Sequence, residues 1–163
     1  MPLSNNRVLI KIWHFNIPLN LKCFIWLVLG NHISTWDTLL RKGWCGPIRC
    51  CLCFPVEETI SHIFLSCTFV RNIIAQLNSS HNQDFNWSIT SILGNIEVWY
   101  QNYRVSSHLP LFLIWNIWIT RNHLLFEGRN IGTEHTCVKI LDQMNSHPLI
   151  RKRKRERFVG HPP

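Results

Sequence analysis

The spacing Cys50-x2-Cys53-x8-His62-x4-Cys67 constrains this chain more than any other feature. A C-x2-C turn sets two thiolates about 3.5–4 Å apart, as tetrahedral bonds near 2.3 Å to zinc require. His62 and Cys67 supply the second pair. On a straight α-helix, residues at this separation diverge by about 140° and lie roughly 7.5 Å apart along the axis. One unbroken helix therefore cannot carry both ligands, and the helix holding His62 is expected to end or distort before Cys67. Ser66, Thr68 and a fresh apolar phase from Phe69 fit a break there. Four protein donors leave no open coordination position, so Zn2+ in such a set is structural and clips the turn to the helix where a short module lacks core. Neighbouring thiols leave alternatives open. Cys51 adjoins the first pair, and Cys45 could stand in for Cys50. Cys23 and Cys137 fall in apolar helical patterns and read as core thiols.

An odd count of 7 cysteines, crowded around one turn, does not suit a disulfide framework. The first residues, Met1-Pro-Leu-Ser-Asn-Asn-Arg7, also lack the apolar stretch of a secretory leader. Reduced thiols and a nuclear or cytoplasmic address follow as the expectation. Two apolar runs, 21–29 and 109–119, fall short of the roughly 20 residues a membrane helix needs, and Lys22 interrupts the first. No membrane partner is expected.

Charge is concentrated at one end. The run Arg151-Lys152-Arg153-Lys154-Arg155-Glu156-Arg157 holds six basic residues and one acid, +5 of the net +8, which leaves a body of +3. Arg151, Lys152, Arg153, Lys154 and Arg155 form a nuclear-import candidate. Charged residues are only 16% of the chain, while 8 Trp and 9 Phe are many for this length. Such a chain has apolar surface to spare and suits a module that packs on a partner.

Periodicity predicts a mostly α fold, a small zinc-stabilised helical domain followed by a helical connector. Residues 7–16 are apolar with some alternation and suit a strand or a short helix. Pro18 opens an apolar helix over 19–29 that Gly30-Asn31 ends. Ser34 or Thr35 caps a helix that stops at Gly43. The segment 45–56 is turn-rich. Helical spacing returns over 57–77, again over 87–103 with a break at Gly94, and most strongly over Leu109–Glu127, ending at Gly128. A last helix over 133–145 has Val138, Leu141 and Met144 on one face. Three parts result: 8–80 around the metal, 87–146 as connector, and a basic tail, 147–163, expected to be disordered.

These marks resemble the zinc-binding domain that follows the polymerase in plant LINE-type (non-LTR) retrotransposon reverse transcriptases. The resemblance rests on Ile12-Trp13, Ile17-Pro18, Phe24-x-Trp26, Thr35 with Leu39, Lys42-Gly43, Cys50-Cys-Leu-Cys53, Glu57-Glu58-Thr59, His62-Ile-Phe and Cys67. A second block, Leu113-Ile-Trp115-x-x-Trp118-x-x-Arg121-Asn122 with Phe126-Glu127, is similar to the connector before RNase H in the same polyproteins. Neither a polymerase nor an RNase H segment is recognised in this sequence. The resemblance implies RNA or DNA as a partner, or the reverse transcriptase and RNase H domains themselves. Lys22, Arg41, Lys42, Trp44 and Arg49 are the nucleic-acid-binding candidates. Trp13 and Trp26 read as core anchors. Glu57-Glu58 reads as a helix N-terminal charge pair and Arg121-Asn122 as a helix cap. Asp37, Asp84 and Asp142 have no partners at a spacing that suits two-metal chemistry, and no phosphate loop or nucleophile triad occurs. No enzymatic activity is expected.

Overall fold

Seven α-helices account for most of the described residues: α1 (Arg7–Trp13), α2 (Leu19–Leu29), α3 (Trp36–Arg41), α4 (Thr68–His81), α5 (Ile92–Gln101), α6 (Leu109–Glu127) and α7 (Thr133–Ser146). The computed structural model describes residues 7–81, 85–88, 90–101 and 108–147. The import candidates Arg151, Lys152, Arg153, Lys154 and Arg155 lie outside them. A π-turn, His62–Ser66, precedes α4, and an isolated antiparallel bridge joins Arg49 to Glu57. No strand occurs among the described residues, and none of their helices is long and apolar enough to cross a membrane.

The helix α6 is the hub. It is apolar almost all round, so it must be covered on several sides. Leu109, Leu111, Phe112, Leu113, Ile114 and Ile117 are buried, and α2, α5, α7 and the π-turn pack on it. Pro110 sits in the first turn, where its missing N–H costs nothing, and Gly128 closes the helix at φ 62°. α7 lies against α6 and α4. Its buried face is Thr136, Cys137 and Ile140, with Val138 exposed. Of the expected face, Leu141 and Met144 are half-buried against the core and Val138 alone turns out, because Thr136 meets Thr120 of α6 at 3.2 Å and a satisfied hydroxyl takes the core position.

Residues 7–13 settle as a helix, with Val8, Leu9 and Ile12 buried. α2 buries Leu21, Phe24, Ile25 and Val28, and the Phe24 ring meets Trp115 and Trp118 of α6 at 5.2 and 5.9 Å. Its other side is open. Leu19, Cys23, Trp26 and Leu27 are exposed, and so is Trp13. Trp13 and Trp26 are thus not core anchors, and Cys23 is not a core thiol. α2 has more apolar residues than the one stripe that α6 covers. Asn31, at φ 61°, takes the left-handed position after α2. α5 starts later than expected. Ser91 caps it through the Gly94 N–H, so Gly94 falls in its first turn rather than at a break. Trp87 stays outside the helix and donates its indole N–H to the Phe64 carbonyl at 2.8 Å. Tyr100, at the end of α5, pairs with His108 at 2.9 Å, and burial lowers the His108 pKa to about 4, which keeps the ring neutral.

Buried residues before and after the 80s merge into one core. One ion pair links the two halves where water is excluded. Arg121 of α6, 1% exposed, meets Glu58, 0% exposed, through Nη2–Oε1 at 2.5 Å and Nε–Oε2 at 3.2 Å. Glu58 Oε1 also accepts the Trp36 N–H at the start of α3 (3.0 Å). The guanidinium lies 4.9 Å from the Trp118 ring centroid and donates to Asn122 Oδ1. Glu58 therefore does serve a helix N-terminus, that of α3, but its main partner is a cation 63 positions away. Arg121 is a buried anchor rather than a cap. Removing one member strands a buried charge, at a cost of about 3–5 kcal/mol. Arg121→Met is thus expected to destabilise the chain by that order, and Glu58→Gln added to it to restore a large part. A double variant no more stable than Arg121→Met, by chemical denaturation, would contradict this role.

Candidate metal centre

The turn that carries Cys50 and Cys53 is a tight antiparallel loop. Cys50 N–H donates to the Val56 carbonyl and Phe54 N–H to the Cys50 carbonyl, both at 2.8 Å, beneath the Arg49–Glu57 bridge. Phe54 closes it at φ 67°, a region that costs an L-residue about 1–2 kcal/mol. Its exposed ring recovers little of that cost through packing. The strain marks a turn whose shape is dictated by something other than Phe54.

His62 begins where Thr59 starts a helical turn, its hydroxyl accepting the His62 N–H at 3.0 Å. The backbone then widens. Cys67 N–H donates to the His62 carbonyl at 2.8 Å, an i→i+5 bond that closes the π-turn. Cys67 leaves helical geometry (φ −59°, ψ 133°), and its carbonyl accepts the Arg71 N–H as the first bond of α4. The wider turn and the exit at Cys67 together remove the divergence that a straight helix would impose. Ile63, Phe64 and Leu65 point into the core, so the site is anchored from below.

Cys50, Cys53, His62 and Cys67 converge, with all four donor atoms within 4.8 Å of one another. The Cys50 and Cys67 sulfurs are 4.0 Å apart, close to a tetrahedral edge of about 3.5–4 Å. Cys53 Sγ and His62 Nε2 are 3.1 Å apart, a little inside it. Nε2 thus faces the cluster, while Nδ1 faces the Ser66 hydroxyl at 3.3 Å, the kind of outer partner that fixes a ligand ring. Cys50, His62 and Cys67 are buried and Cys53 is half-buried.

Electrostatics favour a cation here. Backbone hydrogen bonds from Leu52 and Cys53 stabilise the Cys50 thiolate, and Val56 and Phe69 do the same for Cys53 and Cys67. A hydrogen bond from the Cys67 thiol, chiefly, lowers the Cys50 pKa to about 5. The same bond, with burial, drives Cys67 upward, and burial drives Cys53 upward. The protein alone thus holds one thiolate readily and resists three. A divalent ion that binds all three overcomes their mutual repulsion. Donor chemistry, spacing and enclosure all fit zinc.

The neighbouring thiols are placed elsewhere. Cys51 turns away, its sulfur 3.9 Å from the Arg121 carbonyl, and burial beside Glu58 raises its pKa to about 11. Cys45 is exposed and outside the cluster. Cys137 is a buried thiol, as expected, and reaches the Ile73 carbonyl and Gln76 Oε1.

Of the nucleic-acid candidates, Arg41, Lys42, Trp44 and Arg49 are all exposed, on the end of α3 and the segment leading into the metal turn. Arg41 is shared with Asp37 at 3.3 Å. Lys22 is half-buried on α2 and donates to the Trp13 carbonyl at 2.9 Å. Sequence reasoning missed the Glu58–Arg121 pair beside the site and the Ser66 support of His62. The His62-x3-Ser66 spacing, one helical turn, was the available signal for the latter.

Residues 4–73 match the family model described as zinc-binding in reverse transcriptase. The match contains all four donors and ends inside α4, less than half of the 163-residue chain. No curated protein and no solved structure matches the chain.

Zinc binding in such modules is worth about 10–16 kcal/mol, as much as the whole stability of a typical domain. Cys53→Ser and His62→Ala are each expected to lose the metal and unfold the first half. Cys51→Ser and Cys137→Ser are expected to retain it. Metal content and melting temperature check this, and four variants with equal values would contradict the ligand assignment.

Proposed function

We propose that this chain is a non-catalytic, structural-zinc module of a plant LINE-type (non-LTR) reverse transcriptase polyprotein, and that it binds nucleic acid. The observation that carries the reading is the coincidence of a closed three-cysteine, one-histidine set with the family match over residues 4–73. Zinc in a fully protein-ligated site has no position for a substrate, which supports a structural role. The pairing of three of the nine acids supports the absence of catalysis. Asp37 is paired with Arg41, Glu58 with Arg121 and Glu127 with Arg129. Two-metal chemistry needs carboxylates free to hold ions.

Arg41, Lys42, Trp44 and Arg49 offer cations and one exposed aromatic ring next to the metal turn, a composition that holds RNA or DNA through phosphates and stacking. The run from Arg151 to Arg157 supplies a nuclear address and a further electrostatic contact.

A second reading is docking onto polymerase or RNase H domains. It is favoured by a cleft of about 480 Å³ lined by Trp36, Pro47, Ile48, Arg49, Cys51, Phe54 and Leu125. Salt separates the two. Nucleic-acid affinity that uses about three phosphates on a single strand falls with a log–log slope near −2, whereas apolar docking barely responds to salt. Deleting residues 148–163 is expected to weaken binding and flatten the slope without abolishing it. Affinity unchanged between low and high salt in the full chain would contradict nucleic-acid binding. Complete loss on deletion would move the binding site from the zinc module to the tail.

A further inference from the structure

The outer faces of α1 and α2 carry a feature the metal centre does not use. No acid occurs before Asp37, while Arg7, Lys11 and Lys22 fall in that stretch. On α1 the exposed residues are Arg7, Ile10, Lys11 and Trp13, and His14 just after it is exposed too. On α2 they include Leu19, Cys23, Trp26 and Leu27, a stripe at helical spacing. Trp13 and Trp26 are each 44% exposed, unusual for the side chain that gains most from burial.

Lys22 joins the two faces. Its Nζ donates to the Trp13 carbonyl at 2.9 Å, which brings the end of α1 alongside α2. Trp26 follows Lys22 by one helical turn, about 6 Å along the same side. Lys22 thus links the Trp13 end of α1 to the Trp26 side of α2, and the His32 ring lies 6.1 Å from the Trp26 ring. The helix α5, which packs on α1, adds one carboxylate, Glu97, half-buried and engaged in its own interaction.

We propose that this α1–α2 face binds single-stranded nucleic acid, with Trp13 and Trp26 as stacking platforms and Arg7, Lys11 and Lys22 as phosphate contacts. The proposal rests on the nucleic-acid reading above, adds a second surface to the one at the metal turn, and specifies a strand state. Unpaired bases have free faces to stack on exposed rings, and bases inside a duplex do not. A protein partner fits less well, because interface cores are depleted in lysine. A lipid surface also fits less well. The cations are interleaved with the apolar residues rather than segregated on an opposite face, so insertion would drag Lys11 and Lys22 toward the acyl chains.

The test is fluorescence anisotropy of the zinc-loaded full chain with labelled oligouridine and oligothymidine of about 12 nucleotides, each against a duplex of equal length. Single strands are expected to bind more tightly than duplex. Tighter oligouridine binding would assign the site to RNA, and equal binding to either strand. Trp13→Ala and Trp26→Ala are each expected to weaken single-strand binding by about tenfold, and Trp→Phe at either position to keep most of it. Arg7→Gln with Lys11→Gln, both at exposed positions, is expected to reduce the salt slope by about 1.4. This pair decides the matter if the tryptophan variants lose zinc or helical signal. Binding untouched by all of these variants but lost with Lys42→Gln and Arg49→Gln would overturn the proposal and leave nucleic-acid binding at the zinc turn. No binding of any oligonucleotide would overturn both. Binding to phosphatidylserine vesicles with none to oligonucleotides would also overturn both.

Discussion

Four donor atoms from two separate pieces of backbone have to meet within a few ångströms, and much of the local structure follows from that demand. The turn at Cys50–Cys53 is held by short backbone bonds and closes on Phe54 in a left-handed conformation. The helix after Thr59 widens into a π-turn, and Cys67 ends it by starting α4. None of these irregularities is favoured locally. A cation that held three sulfurs and an imidazole nitrogen together would offset the cost of each. Because the π-turn residues Ile63, Phe64 and Leu65 are in the core, the same demand fixes where α4 leaves and how it meets α7.

The second constraint lies beside the first. Cys51, between two ligands, touches the Arg121 backbone, and Arg121 reaches back to Glu58 at the far end of the same turn. The metal turn is thus clamped to α6 from both ends. A buried ion pair seldom stabilises more than an apolar pair of equal volume. Its effect here is directional. The bidentate fork accepts one orientation of α6 against the turn, and the Trp36 N–H adds α3 to the same carboxylate. The hydrophobic core holds the helices together, and Glu58 sets their register around the metal centre.

The convergence of Cys50, Cys53, His62 and Cys67 was legible because metal coordination is a short-range demand written in residue type and spacing. The break between His62 and Cys67 was legible for the same reason, since helical geometry forbids the alternative. Its form, a π-turn rather than a simple stop, was not, because spacing says where a straight helix fails and not which distortion replaces it. α6 was read to its ends, as its apolar run is long and Gly128 acts locally. The partner of Glu58 was invisible, since nothing periodic relates it to Arg121. Val138, Trp13, Trp26 and Cys23 were misread for one reason: apolar pattern shows which residues can be buried, while packing decides which are. A Thr–Thr contact displaced Val138, and a shortage of covering surface left Trp13, Trp26 and Cys23 outside. The import candidates fall outside the described residues and rest on sequence alone.

The central claim is that the metal organises this fold. The most direct measurement is the zinc content of the reduced, purified chain, followed by circular dichroism as a chelator removes the metal. The account predicts a stoichiometric ion at the four-donor cluster and a large loss of helical signal on chelation that returns with added zinc. A chain purified without stoichiometric zinc, or one whose helical signal and melting temperature are unchanged by chelation, would contradict it.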